Sequence, residues 1–302
     1  MHNKKNLLII DAHCDTLYRL ALEPNLQPCV TTERLQAGGV SLQVFALWAG
    51  PDGASPFDVV QAQLKAWQGL PIQSVDSPFD ARDGQVAGML SIEGGEVFGS
   101  DLHSVAEFRK LGVRIVALTW QRENRIAFPN QDGEGGRIKP FGWQVLARME
   151  QLGMAADVSH LSRRGFWDLI DRYSQPPMAS HSCCHALCPH PRNLTDEQLR
   201  ALIARGGWVG INFFALFLTG GNKATIGDVV RHIDHIAQLG GAANVGFGSD
   251  FDGMPHPPKG AEHPGCFPAI LDALRARGYD EATVRGIAGE NFLRYFRAVA
   301  ES

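Results

Sequence analysis

Short apolar runs recur along the chain, each closed by a polar or charged side chain and followed by residues of different periodicity. The first, residues 7–10, is Leu-Leu-Ile-Ile and opens directly onto Asp11-Ala12-His13-Cys14-Asp15. An unbroken aliphatic run of this length reads as a parallel strand buried on both faces. Runs of the same kind at 38–48, 86–92, 113–119, 154–160, 177–182, 207–213 and 245–250 predict seven more strands. Between them, residues 57–70 carry Val59, Val60, Leu64 and Trp67 on one helical stripe, and 102–111, 142–152, 163–173, 195–205 and 226–239 also read as helices. Thr195 is a natural N-cap for its helix, with Gln198 at the capping-box position. Residues 17–32 read as a short helix and loop, and one or two helices over 269–299 close the chain. The stretch 121–138 is polar, glycine-rich and aperiodic, which predicts a long loop of the kind that usually carries function.

Eight strands alternating with helices, with no shift in composition to mark a linker, predict an α/β fold: one (β/α)8 barrel over residues 1–302. A doubly wound open sheet is the rival, but no glycine-rich phosphate fingerprint follows the first strand.

Composition narrows the partners. A 44% hydrophobic, 20% charged chain of net charge −4 has no strongly basic surface, so nucleic acid and anionic membranes are not expected partners. No run approaches the roughly 18 apolar residues of a membrane span. The four aliphatics after the basic residues 1–6 are too few for a signal peptide, and a cytoplasmic enzyme with reduced cysteines is expected. Cys183, Cys184 and Cys188 cluster, yet their spacing matches no zinc-ribbon pattern and they read as buried or incidental thiols.

The chemistry gathers at the strand ends. His13 and Asp15 follow the first strand, Glu93 the third, His160 the fifth, His181 the sixth and Asp250 the eighth. His13 and Asp15, two apart, can point to one face while Cys14 points away. In a barrel all six project from one rim, where this fold carries its active sites. Imidazole with carboxylate suits zinc and its first-row neighbours. Each residue alone has a simpler explanation: a hydrogen-bonded rim histidine, a helix-dipole role for Glu93, or an Asx-turn at Asp250, for which Asp252 is the better candidate. Six together at strand ends favour a shared metal. Three histidines and three carboxylates exceed one tetrahedral zinc and suffice for two metals sharing a carboxylate; two such cations about 3.5–4 Å apart hold a hydroxide and polarise a carbonyl, which is hydrolysis. Arg192, in a proline-rich loop after the sixth strand, either grips a substrate carboxylate bidentately or makes a surface ion pair. His2, His232 and His235 lie in a tail or on a helix with solvated neighbours, and His103, His185, His190, His256 and His263 lie outside strand ends. These eight are read as surface or loop residues.

Taken in order, Asp11-Ala12-His13-Cys14-Asp15, Ile92-Glu93-Gly94-Gly95, Asp157-Val158-Ser159-His160, Ser180-His181-Ser182, Arg192-Asn193, Gly248-Ser249-Asp250-Phe251-Asp252-Gly253 and Gly289-Glu290-Asn291-Phe292-Leu293-Arg294 resemble the membrane dipeptidase (renal dipeptidase) family of zinc peptidases, within the amidohydrolase barrels. The resemblance covers essentially the whole chain. It implies a (β/α)8 barrel with two zinc ions: His13 and Asp15 on one, His160 and His181 on the other, and Glu93 bridging both. It also implies that Asp250 takes a proton from the bridging water and passes it to the departing amine, and that Arg192 holds the terminal carboxylate of a dipeptide, L-D dipeptides included. One position departs. The family's mammalian members place a histidine after the Leu-Thr that ends the fourth strand, where it stabilises the oxyanion; here Leu118-Thr119 is followed by Trp120, whose indole donates one hydrogen bond and cannot carry a proton. Arg122, Asn124 and Arg125 are the candidate substitutes, and Trp120 itself is placed among the substrate-binding residues. The expected activity is that of a dinuclear zinc dipeptidase. The alternatives are a related amidohydrolase acting on another amide, an N-acyl amino acid or a lactone, and a barrel that binds without turnover. An isologous dimer is the common assembly for such enzymes.

Overall fold

In the computed structural model, which describes residues 7–130 and 135–301, the apolar runs form eight parallel strands: β1 (Ile9–Asp11), β2 (Val40–Trp48), β3 (Ala87–Glu93), β4 (Val113–Ala117), β5 (Ala155–Asp157), β6 (Met178–Ala179), β7 (Trp208–Ile211) and β8 (Val245–Phe247). Each pairs with the next, and β8 returns to β1 through Asp11 opposite Phe247, so the sheet closes into the predicted barrel. The longest register, Leu42 opposite Ala87 through Trp48 opposite Glu93, sets the height of Glu93 on the rim. A two-residue strand, Gln73–Ser74, adds to the outer start of β3.

Alternation along the strands separates two cores. Ile10, Leu42, Val44, Met89, Ile115, Ala155, Met178 and Trp208 form one cluster with Phe292, Tyr295 and Phe296 of the C-terminal helix. The intervening residues, among them Ile9, Phe45, Leu47, Leu90, Ile92, Val116, Ala156 and Val209, pack against the surrounding helices. Glu93 shares parity with Met89, so it continues the inner column at the top of β3.

The helices are α1 (Thr16–Leu22), α2 (Thr32–Ala37), α3 (Pro56–Gln68), α4 (His103–Lys110), α5 (Pro140–Gln151), α6 (Arg163–Arg172), α7 (Asp196–Ala204), α8 (Ala215–Thr219), α9 (Ile226–Ile236), α10 (Phe267–Ala276), α11 (Glu281–Arg285) and α12 (Asn291–Glu301). The Thr195–Gln198 capping box forms as expected. Helix α2 is the main element missed: its six residues bury only Leu35, which leaves no stripe to read, although Thr31 caps it. The closing region holds three helices rather than one or two. Among the described residues no helix is long and apolar enough to cross a membrane.

One histidine assignment is corrected. His232, expected on a solvated face, is wholly buried. It lies on the side of α9 that carries Val229, Val230, Ile233 and Ile236. Its Nδ1 accepts from the backbone N–H of Cys184 at 3.0 Å and its Nε2 donates to the Leu218 carbonyl at 3.0 Å, which ties α9 to the loop after β6 and to α8. Both ring nitrogens are satisfied, so burial costs little. His103 and His256 are exposed as expected, whereas His235 bonds Asp196 at 2.7 Å and His263 caps a turn by accepting from Gly265 N–H. His2 lies outside the described residues.

Candidate metal centre

Most of the strands are shorter than the apolar runs, so the polar residues stand just past their ends, except Glu93, which is the last residue of β3. Three of these positions, His160, Asp250 and Asp252, have φ of 65°, 66° and 67°, the only non-glycine residues with positive φ among those described. Left-handed backbone costs L-residues about 1–2 kcal/mol each, and such strain clusters where a side chain must be aimed. Here it turns the chain back over the barrel mouth.

Closure of the barrel brings all six predicted residues together. Glu93 Oε1 lies 2.9 Å from His160 Nε2, 3.4 Å from His181 Nε2 and 3.8 Å from His13 Nε2. His13 Nε2 is in turn 3.5 Å from Asp15 Oδ2 and 3.8 Å from Asp250 Oδ1. The Nε2 atoms of His160 and His181 are 2.9 Å apart. His13, Glu93, His160 and His181 are each at most 7% exposed. Two groupings could each hold a cation, His13 with Glu93 and His181, and His13 with Asp15 and Asp250.

The donor set fits a metal. Tetrahedral ligand atoms about 2.0–2.1 Å from a zinc stand about 3.3 Å from one another, close to the separations observed. His13 Nε2 and Asp15 Oδ1 are buried without any hydrogen-bond partner, a state that is costly unless a cation takes their lone pairs. The charges agree. Burial pushes Asp250 up to about 8, with the Asp15 carboxylate adding to it. Burial likewise raises Glu93. Burial opposes charge on His13, yet Glu93, Asp15 and Asp250 around it lift it to about 10. Burial and the nearby cations hold His160 and His181 far below the usual histidine range. Carboxylates packed this closely favour a positive charge among them.

A further set of residues holds these in place, and sequence reasoning passed over it. Asp157 Oδ1 accepts from the backbone N–H of Ser159 and Ser180 at 2.8 and 2.9 Å, while its Oδ2 accepts from Ser180 Oγ. Ser180 Oγ is 2.7 Å from His181 Nδ1. Across the barrel, Asp11 accepts from Ser249 N–H at 2.8 Å and from Ser249 Oγ at 2.6 Å. Asn212 Nδ2 donates to Asp250 Oδ2 at 2.9 Å, which leaves Oδ1 toward His13. A lone aspartate at the end of an apolar strand was the available signal for Asp11 and Asp157, since such a carboxylate must be hydrogen-bonded. Asp252 is not the Asx-turn considered for it: it accepts from Thr16 Oγ1 and from the N–H groups of Cys29 and Val30, fastening α1 to the rim.

Arg192 is 8% exposed rather than a surface residue. One of its N–H groups donates to the His181 carbonyl at 3.2 Å, its guanidinium lies 5.5 Å from the Phe217 ring centre, and its Nε has no partner. Trp120 stands at the edge of the cluster, 6.4 Å from the His160 ring and 4.7 Å from Trp48. With Tyr18, Trp48, Asp15 and Glu93 it lines a cavity of about 250 Å³. Of the candidate substitutes for the family's histidine, Arg122 is bound to Glu96, Asp52 and the Gly50 carbonyl, and Asn124 to Glu96 and the Leu118 carbonyl. Arg125 is exposed beside Phe141. Part of that loop, residues 131–134, lies outside the described residues.

Residues 3–302 match the family described as membrane dipeptidase (Peptidase family M19). An uncharacterized protein in the pqqA 5′ region of Klebsiella pneumoniae is 35% identical over 229 residues, which cover 72% of this chain and 84% of that protein. A protein described as an uncharacterized dipeptidase of Schizosaccharomyces pombe is 34% identical over 222 residues, 71% of this chain and 53% of the relative, so the match spans about half of that protein. The fold superposes on a metallo peptidase of Rhodobacter sphaeroides, crystallised with a phosphinate mimic of the dipeptide L-Ala-D-Ala, with a TM-score of 0.88 and 27% identity over 98% of this chain and 100% of the other.

Proposed function

The chain belongs to the membrane dipeptidase family, peptidase family M19, and from that premise we propose that this metallo-dipeptidase uses two zinc ions, shared through Glu93, to hydrolyse dipeptides, L-D dipeptides included. His13 and Asp15 would hold one ion, and His160 and His181 the other. When bound, the pair supplies a nucleophilic water at neutral pH and polarises the scissile carbonyl. The observation that carries this reading is the convergence of three imidazole Nε2 atoms on Glu93 Oε1 at the barrel mouth, at 2.9, 3.4 and 3.8 Å, with Asp15 Oδ2 3.5 Å from His13 Nε2 and Asp15 Oδ1 buried without a hydrogen-bond partner.

The remaining steps fall to the chain's own groups. Asp250, held by Asn212 with Oδ1 facing the cluster, takes the proton of the attacking water and gives it to the leaving amine. Arg192, a buried cation with an unpartnered Nε, meets the substrate's free carboxylate; bidentate pairing there would repay its desolvation. Trp120 and Trp48 wall the cavity that would take the substrate. The Rhodobacter relative's dipeptide mimic supports a substrate of this size and the inclusion of L-D dipeptides.

A panel of L-L, L-D and N-acyl substrates tests the reading, run on protein whose zinc content is measured in the same preparation. Turnover of free dipeptides with about two zinc per chain is expected. Zinc-loaded protein that cleaves N-acyl amides or lactones and no dipeptide would overturn the substrate assignment. Asp250→Asn is expected to lower kcat by at least about 10²–10⁴-fold, the usual span for general acid–base catalysis, with zinc content unchanged. An unchanged rate would remove Asp250 from proton transfer.

A further inference from the structure

Two aspartate–serine clamps close the barrel mouth, and they differ in one respect. Asp11 grips Ser249 through its N–H and hydroxyl, as Asp157 grips Ser180. Each joins neighbouring strand ends, β1 to β8 and β5 to β6. Only Ser180 also reaches an imidazole: its Oγ is 2.7 Å from His181 Nδ1, whereas the further hydrogen-bond partners of Ser249 Oγ are both backbone groups, the His13 carbonyl oxygen and the Phe251 N–H, each at 3.3 Å.

Ser180 Oγ has three polar side-chain neighbours, Asp157 Oδ2, His181 Nδ1 at 2.7 Å and Ser159 Oγ at 3.4 Å, and the shortest of these contacts is the one to the carboxylate. A carboxylate only accepts, so the single hydroxyl hydrogen of Ser180 goes to Asp157 Oδ2. Ser180 Oγ then has only lone pairs left for His181, so Nδ1 must carry the ring hydrogen. A neutral imidazole has one N–H, and Nε2 is therefore a bare lone pair, aimed at Glu93 Oε1 and His160 Nε2 at 3.4 and 2.9 Å. The ring is further fixed by its own backbone N–H, which donates to Ser159 Oγ at 3.1 Å, and by packing on His13 with ring centres 3.9 Å apart.

We infer that Asp157 is a positioning residue that acts through Ser180 to hold His181 in the metal-binding tautomer. This rests on the proposed role of His181 as a ligand. It leads to an expectation that a merely structural clamp does not share: the isosteric change is worse than the truncation. In Asp157→Asn the amide oxygen must stay on the two backbone N–H groups, so the NH₂ faces Ser180 Oγ. Ser180 then turns its hydrogen to Nδ1 at 2.7 Å, a closer acceptor than Ser159 Oγ at 3.4 Å, and the ring hydrogen moves to Nε2, where the lone pair was needed. In Ser180→Ala the ring loses its partner but keeps free choice of tautomer.

Zinc titration of the metal-free full chain against a chromophoric chelator reads both affinity and number of sites, with thermal unfolding of the metal-free proteins as the check on folding. Outer partners of metal-binding histidines are worth roughly 10–100-fold in affinity. One of two sites is expected to weaken by roughly 100-fold in Asp157→Asn and by roughly 10-fold in Ser180→Ala. Wild-type affinity in Asp157→Asn, or a loss in Ser180→Ala that equals or exceeds it, would overturn the inference while leaving the metal centre standing. A wild-type chain that binds no zinc would overturn the metal centre and this inference with it. Should Asp157→Asn not fold, Ser180→Ala decides alone: unchanged zinc affinity overturns the chain, and a tenfold loss supports it.

Discussion

Gly253 shows how little room the rim leaves around each side chain. A Cβ there would stand 2.0 Å from Asp15 Oδ2 and 2.7 Å from Asp250 Oδ1, so any side chain must displace both carboxylates. Gly253→Ala is expected to lower kcat/KM for a dipeptide by about 10²-fold, the cost of misplacing reacting groups by about 1 Å, with little change in unfolding temperature. Full activity would mean that Asp15 and Asp250 need not stand where they do. At this scale the chain was readable as far as residue type goes. His13, Asp15, Glu93, His160, His181 and Asp250 were each identifiable from a charged or imidazole side chain at the end of an apolar run. What could not be read was the burial of Arg192 or the direction of the proton in Asp157–Ser180–His181, because both depend on contacts across separate loops.

Among the elements, α9 carries a pH dependence that its amphipathic pattern does not reveal. Burial, the dominant cause, lowers His232 from 6.5 to about 4. Because its folded value is depressed, the unfolded chain binds the proton more readily. The stabilisation is therefore complete above about pH 6.5 and is lost as pH falls toward 4. A shift from 6.5 to about 4 corresponds to about 3 kcal/mol in full, of which about 2 kcal/mol is lost by pH 5. Urea unfolding at pH 7.5 and pH 5 is expected to show a drop smaller by about that amount in His232→Gln than in the wild type. Parallel drops would show that His232 does not titrate on unfolding. Strands and long helices were legible because their periods are local, and α2 was not because only Leu35 of its six residues is buried. His232 was misassigned for a related reason: Arg231, Asp234 and His235, all within three residues of it, are polar, and the groups that satisfy its ring come from the loop after β6 and from α8.

For the molecule as a whole, the barrel mouth concentrates buried carboxylates and imidazoles that a divalent cation would bring into balance. Zinc at about 100 times its Kd stabilises a folded chain by about 2.7 kcal/mol per site. With two sites filled the metal-free protein is therefore expected to melt roughly 10 °C higher when zinc is restored, at the roughly 2 °C per kcal/mol that the usual unfolding entropy per residue gives for a chain of this size. Magnesium, which prefers oxygen ligands and keeps its waters, is expected to do much less. Calorimetry with each metal checks this, and equal curves with and without zinc would count against a metal centre in the cluster.

Alternation of apolar strands with amphipathic helices is a short-range property, so the barrel, its strand count and the rim residues could be read directly from the order of the amino acids. The family motifs, in their order along the chain, pointed to the same architecture. Distances between side chains on different strands are another matter. The approach of Glu93 to three imidazoles follows from closure of β8 onto β1, and the left-handed turns at His160 and Asp250 follow from what must fit inside the mouth. Which histidine is buried, which arginine loses its solvent and which ring nitrogen keeps its lone pair were decided only when distant segments packed together, because burial and hydrogen-bond partnership belong to the folded neighbourhood.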